Sequence, residues 1–265
     1  MSNSLPRLFK QTNLSHAWAE AFLHIIDNSG KEISPLVVSI TDFNDGIPNE
    51  DIDIRQSLDQ CLVDNGDQKI HTVANTIFPD SLWRRSKCQR HELFERYLKF
   101  LPRAKAIKHC KHKNSRGLYF ERLIAFGSGP CKGNQLEFII SEYQKRKGVR
   151  RSMFQASVFD PGRDHVRSAQ LPFPCLQHVS FVPQGETQTL TMNAFYATQQ
   201  LFNKAYGNYL GLCRLGNFMA KEMGLTFNRM NCFVGVAKLD NITKTSDTLA
   251  PVKEACLKAL SSKTD

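Results

Sequence analysis

The sequence predicts a single-domain α/β protein, of the mixed α+β kind, on three observations. Stretches with apolar residues at helical spacing alternate with short runs of β-forming residues. The 265 residues are 41% hydrophobic, enough to bury a large core. No linker rich in Pro, Gly or Ser divides them and no internal repeat is visible, so residues 1–265 read as one domain.

The elements follow in order. Leu14, Trp18, Phe22, Ile25 and Ile26 recur at helical spacing, and Gly30 is a natural stop. Leu36, Val37, Val38 and Ile40 make a short strand, ended by the turn-rich Asp42-Phe43-Asn44-Asp45-Gly46-Ile47-Pro48. Residues 54–63, with Ile54, Leu58, Cys61 and Leu62, read as a helix, as do residues 91–101, with Leu93, Phe94, Tyr97 and Leu98. Residues 136–143 show one largely apolar helical face before Gly148, and a strand is expected over 153–159. Residues 177–182 and 187–195 read as two further strands joined by Pro183-Gln184-Gly185.

The clearest helix spans residues 209–223, with Leu212, Leu215, Phe218 and Met219 as its buried stripe and Gly224 as its stop. Asn208 stands just ahead of it, where a side-chain oxygen can cap a helix. A strand over 231–237 and a helix over 252–260 complete the chain.

The net charge of +10 predicts an anionic partner, and much of the basic excess lies between Trp83 and Arg151. Nucleotide phosphates and nucleic acid both satisfy it, as does a solvated basic face with no ligand at all. Trp83, Phe94, Tyr97 and Phe100 lie among these charges, but mostly at core-like helical spacing, which argues against stacking on nucleic-acid bases. No segment has the apolar length to cross a bilayer. The start, Met1 to Arg7, lacks the pattern of a secretory signal, so a cytoplasmic protein is expected. Eight scattered cysteines with no C-x-x-C pair indicate neither a disulfide framework nor a zinc site, and no metal is expected.

The most informative stretch is Leu171-Pro172-Phe173-Pro174-Cys175, downstream of Arg150-Arg151 and upstream of Asn208. A thiol, fixed cations and an amide able to read a base form a kit for chemistry on a nucleotide. Each residue type has a plainer role: cysteines pack as small hydrophobes, arginine pairs face solvent and asparagines serve turns. Their order and flanks point further.

Asn134-Gln135 opens a helix leading to Arg150-Arg151, a strand leads to Pro174-Cys175, and residues 193–202 lead to Asn208 and a long helix. In this order and spacing, residues 134–225 resemble the thymidylate synthase superfamily, which includes the pyrimidine nucleotide hydroxymethylases; residues 1–130 diverge more. The resemblance implies a large sheet flanked by helices and a homodimer packed sheet against sheet, with paired arginines reaching the partner's site. Cys175 would be the nucleophile that adds to C6 of a pyrimidine nucleotide, making C5 nucleophilic towards a one-carbon unit. Arg150 and Arg151 would bind phosphate across the dimer, Thr198 would contact phosphate, and Asn208 would read the edge of uracil. Gln200 stands in the same substrate-binding segment. Two weaker matches are His91-Glu92-Leu93, where Glu92 would relay protons, and Gly117-Leu118-Tyr119, where Tyr119 would lie beside the nucleophile. A surface glutamate and a core tyrosine are the plainer readings.

The chain departs from the family's pattern at several points. Ala197 stands where another phosphate-binding arginine is usual, Gln200 where an aspartate is, and Leu176 where a histidine is. Residues 236–241 lack the histidine and tyrosine that hold the ribose, and residues 260–265 lack the apolar tail that closes over folate. Arg116, Arg163 or Arg167 could replace the lost cation. The segment 160–167 appears as an insertion able to reshape the substrate mouth or to serve as a plain surface loop. The expected function is methyl or hydroxymethyl transfer to C5 of a pyrimidine nucleotide, with methylenetetrahydrofolate as the implied donor. The alternative is a catalytically altered or inactive homologue that binds or senses a nucleotide.

Overall fold

The computed structural model describes residues 6–87, 89–106, 117–167, 174–239 and 242–262. Cys88, Lys108, Cys110, Lys111, Lys113, Arg116, Asp240, Asn241 and the 171–173 part of the cysteine segment lie outside them.

The chain enters on β1 (Arg7–Gln11), a strand the apolar pattern does not announce because Arg7 and Lys10 interrupt it. Such charges suit an edge strand. Helix α1 (Leu14–Asp27) follows as its spacing predicts. The Asn13 side chain caps it by accepting from the N–H groups of Ser15 and His16, and Trp18 stacks on Phe22 at 4.9 Å inside the core. Next come β2 (Glu32–Ile33), β3 (Leu36–Thr41) and a small hairpin of β4 (Phe43–Asn44) and β5 (Ile47–Pro48).

Helix α2 (Ile52–Asp64) matches expectation; α3 (Ile70–Ile77) and α4 (Asp80–Arg85) are additional to it, although Ile70, Val73, Ala74 and Ile77 of α3 form a buried stripe at helical spacing that the sequence reading passes over. Helix α3 packs closely on α9, below, which presents bare backbone to it. A Cβ at Gly207 would stand 2.6 Å from Val73 Cβ, and one at Gly211 would stand 2.8 Å from the Ala74 carbonyl oxygen. Helix α5 (Arg90–Ala106) outruns its expected end and continues through Pro102. Phe94 and Tyr97 are buried in the core and Trp83 packs on Phe218, so these rings serve packing, whereas Phe100 is exposed.

After α6 (Tyr119–Ile124), helix α7 (Gln135–Lys145) is capped by Asn134, whose side chain accepts from the N–H of Glu137. Strand β6 (Gln155–Ser157) is shorter than expected because Arg151–Met153 form a 3-10 turn. Then come α8 (Pro161–Asp164), β7 (Leu176–Gln184), β8 (Thr189–Gln200), α9 (Tyr206–Glu222), β9 (Thr226–Lys238) and α10 (Ala250–Ser261). Together the strands make the expected large mixed sheet, seven strands in the order β1-β3-β9-β8-β7-β6 with β2 paired to β9.

Strands β8 and β9 run parallel over nearly their whole length, which obliges their connection, α9, to cross one face of the sheet. On that inner face Leu190, Met192, Tyr196, Met230, Cys232 and Val234 are fully buried. The alternate residues, among them Thr191, Asn193, Phe195, Asn231 and Phe233, turn to an outer face that no helix covers among the described residues. Phe195 and Phe233 stack there at 5.5 Å, each 40% exposed.

The segment 160–167 is no free surface loop. Asp164 is fully buried and receives both terminal nitrogens of Arg122, at 2.5 and 2.8 Å, and the N–H of Asp160 at 2.9 Å. Arg122 also donates to the Val158 carbonyl at 2.8 Å, so this buried pair ties α6, β6 and α8 together. Elsewhere Arg90 of α5 bridges Glu137 of α7 and Glu222 of α9 at 2.8 and 2.9 Å. Cys213, Cys232 and Cys256 are buried, and burial pushes the Cys256 thiol up to about 12, in keeping with structural roles. Among the described residues no helix is long and apolar enough to cross a membrane.

Two outcomes follow for stability. Asp164→Ala strands a buried guanidinium and should cost about 3 to 5 kcal/mol in denaturant unfolding, whereas the double variant Arg122→Met/Asp164→Leu should regain much of that loss. Burial holds the imidazoles of His24, His71 and His178 below their ordinary value of 6.5, aided at His24 by Arg7 and at His71 by Arg55. The unfolded chain then takes up protons first as pH falls below about 6.5, so stability drops from there towards the lower folded values. A melting temperature that declines between pH 7 and 5.5, with a shallower decline in His178→Gln, is the expected result.

Candidate functional site

Cys175 lies at the mouth of β7, immediately before its first residue, and is half-buried. Its carbonyl accepts from the N–H of Ala197 at 3.1 Å, which pins it to the carboxyl end of β8. The hydroxyl of Thr198, exposed on that strand, donates towards the Cys175 sulfur at 3.8 Å. The β7–β8 register shifts between Leu176 and His178, and such irregularities re-aim side chains at sites of function.

Tyr119, the first residue of α6, arrives from a distant part of the chain. Its hydroxyl is within hydrogen-bonding reach of the backbone N–H groups of Leu176 and Cys175. Burial, and then the neighbouring Cys175 thiol, push its phenol well above the ordinary range, so the hydroxyl stays protonated at neutral pH. Cys175, Thr198 and Tyr119 therefore meet at one end of the sheet, with the Thr198 hydroxyl turned to the sulfur.

Beneath them is a polar layer that the sequence reading misses. Tyr196 is fully buried, and its electrostatic neighbours include Tyr119, Cys232, Cys175 and Tyr209. Tyr209 donates to Gln199 Oε1 at 3.0 Å. The Tyr196 hydroxyl and Gln199 Nε2 have no hydrogen-bond partner among the described residues, though both are buried. Orphaned groups of this kind cost about 1 to 3 kcal/mol each and call for a reason beyond packing. Alternation along β8 could have suggested Tyr196, but Gln199 breaks that alternation and leaves no signal.

The remaining candidates are placed differently. Arg151 is exposed at the far end of β7, where its Nη2 donates to Gln184 at 3.3 Å, and Arg150 is exposed beside it. The nine residues of β7 separate them from Cys175, roughly 30 Å at strand rise, beyond the reach of an arginine side chain. One chain alone does not bring the arginine pair to the thiol. Glu92 also stands apart, since its carboxylate pairs with Arg96 one turn along α5 at 3.0 Å. Arg163 and Arg167 are exposed in the segment held by Asp164.

Asn208 is not a helix cap. A π-helical turn at Leu201–Ala205 joins β8 to α9, which starts at Tyr206, so Asn208 lies within the first turn and is 5% exposed. Capping, one of the two roles the sequence left open for Asn208, falls away because the π turn continues directly into the helix, and π turns are frequent at functional sites. Gln200, half-buried, closes β8 and starts that turn. Lys238 pairs in register with Gln200 and shares its face with Thr198 by strand alternation, putting a cation at the thiol's end of the sheet.

The arrangement suits nucleophilic chemistry: an accessible thiol, a hydroxyl donating to it, and a protonated phenol held against its backbone. Among the described residues no three of His, Cys, Asp and Glu converge on a metal-sized space. No model of a known protein family matches this chain, and no curated protein is similar to it.

Proposed function

We propose that this protein is a thymidylate synthase-like transferase that activates C5 of a pyrimidine nucleotide through a covalent adduct between Cys175 and C6. The supporting observation is the meeting of Cys175, Thr198 and Tyr119, drawn from three separate segments, at one end of the sheet. The Cys175 thiolate adds to C6, and the C5–C6 electron pair moves through C4 onto its oxygen as an enolate. C5 then takes an electrophile, C5 loses its original hydrogen, and expulsion of the thiolate restores the ring. Thr198 steadies the sulfur's charge by donation, and Tyr119 supplies a neutral hydroxyl beside it.

Arg150 and Arg151 would serve phosphate in a second copy's site, which makes the homodimer part of the machinery. Asn208 favours uracil over cytosine within the resemblance. Methylenetetrahydrofolate is the donor that the resemblance implies, but the described rings near Cys175 offer a pteridine little surface. Tyr196 and Tyr209 are fully buried, which leaves only the half-buried Tyr119. The mechanism is therefore carried only to C5 activation. That same feature favours a second reading, a homologue that binds a nucleotide without transfer.

Release of tritium from C5-labelled dUMP, UMP, dCMP and CMP separates the two. Release from a uracil nucleotide by the wild type, abolished in Cys175→Ser and slowed about tenfold in Thr198→Val for loss of one hydrogen bond to a charged sulfur, is the expected result. A folded dimer that binds a nucleotide but releases nothing would support the second reading instead.

A further inference from the structure

Two hydrogen-bond donors in the polar layer beneath the thiol have no acceptor among the described residues, and the proposed function gives them no part. Tyr196 of β8 is fully buried and paired in register with Leu176 of β7, the residue next to Cys175. From α6, the Tyr119 hydroxyl reaches the backbone N–H groups of Leu176 and Cys175, so two phenols flank the start of β7. Cys175 is an electrostatic neighbour of both. The Tyr196 hydroxyl and Nε2 of Gln199, a residue 2% exposed, have no partner among the described residues, whereas Oε1 of Gln199 accepts from Tyr209 at 3.0 Å.

The groups packed around these donors hold no negative charge at neutral pH. Burial pushes the phenols of Tyr119 on α6, Tyr196 on β8 and Tyr209 on α9 above their ordinary range, and it does the same to the Cys232 thiol on β9. The neighbours that weigh most on Tyr196 are Tyr119, Cys232, Cys175 and Tyr209, none of them a carboxylate. Arg122, a neighbour of Tyr119, is bonded to Asp164, and Lys238 stands in register with Gln200 at the same end of the sheet. Of the acids in this set, Cys175 lies at the half-buried mouth of β7, where a proton can leave. A buried donor without an acceptor costs free energy while the thiol is neutral and regains it when negative charge forms beside it. Polar groups preorganised in this way favour the charged state.

We propose that Tyr196, with Gln199, is a positioning residue that readies Cys175 by favouring its thiolate from the buried side, while Thr198 donates from the open side. The S–H bond breaks, its proton passes to water at the mouth of β7, and the electron pair stays on sulfur in the field of the two buried donors. This rests on the nucleophilic role given to Cys175 above and adds two residues that act through it without touching the substrate.

Alkylation of Cys175 by iodoacetamide, followed across pH by the mass of its peptide, tests the assignment without any nucleotide. In Tyr196→Phe the midpoint should rise by about one pH unit, slowing alkylation about tenfold near neutral pH. The melting temperature should stay level or rise, because a buried donor without an acceptor is gone. Tyr97→Phe deletes a buried phenol hydroxyl beside Glu121 instead, and it should leave the Cys175 midpoint where it is. Gln199→Leu should raise the midpoint too, and it decides the matter if Tyr196→Phe does not fold. An unmoved midpoint in folded Tyr196→Phe, or a rate lowered equally at every pH, overturns the role of Tyr196 and leaves the C5 chemistry to tritium release. A wild type that releases no tritium, yet whose midpoint depends on Tyr196, overturns the nucleotide chemistry and supports the readied thiolate.

Discussion

The parallel pairing of β8 with β9 is the constraint on which the rest of the molecule depends. Two neighbouring strands that run the same way need a crossover, and α9 makes it on one face only. That single choice sorts the molecule. Tyr196, Cys232 and Met230 go inward beneath α9, Phe195, Asn193 and Arg229 go outward, and the ends of β7 and β8 that bear Cys175 and Thr198 meet at one edge. A long register of paired residues fixes these positions more firmly than any loop could.

Polar ties then hold the periphery against this frame. The buried Arg122–Asp164 pair anchors the segment leading towards Cys175, and Arg90 gathers α5, α7 and α9 through two carboxylates. Burying a matched pair secures geometry more than it adds stability, since desolvation consumes most of the attraction. The same helix that sets Tyr119 beside the thiol carries Arg122, so the tie and the candidate site share one short element. The open outer face carries the stacked Phe195 and Phe233 and the exposed Arg229.

Much of the architecture was legible in the sequence because apolar periodicity records burial directly. Leu14 to Ile25 and Leu136 to Ile140 face the core as their spacing says. What escaped was structure set by neighbours. β1 is a strand because β3 accepts it, and the close seat of α3 on α9 depends on Gly207 and Gly211, although the stripe Ile70, Val73, Ala74 and Ile77 did mark α3 itself. At the site, the resemblance singled out Cys175, Thr198 and Tyr119, but it set Thr198 at a phosphate and not beside the sulfur. The distance between Cys175 and Arg151 was not legible, because only the strand direction of β7 reveals it. Asn208 lies inside α9 and not ahead of it because the π turn before it, which starts the helix early, has no apolar signature.

The central claim is the proposal that the site is divided between two chains. Mixing Cys175→Ser chains with Arg151→Ala chains tests it most directly, since a heterodimer would contain one site with both thiol and arginine. The account predicts that two preparations with impaired C5 tritium release regain about a quarter of wild-type activity after random exchange of subunits. Exchanged dimers that stay as impaired as their parents would contradict it.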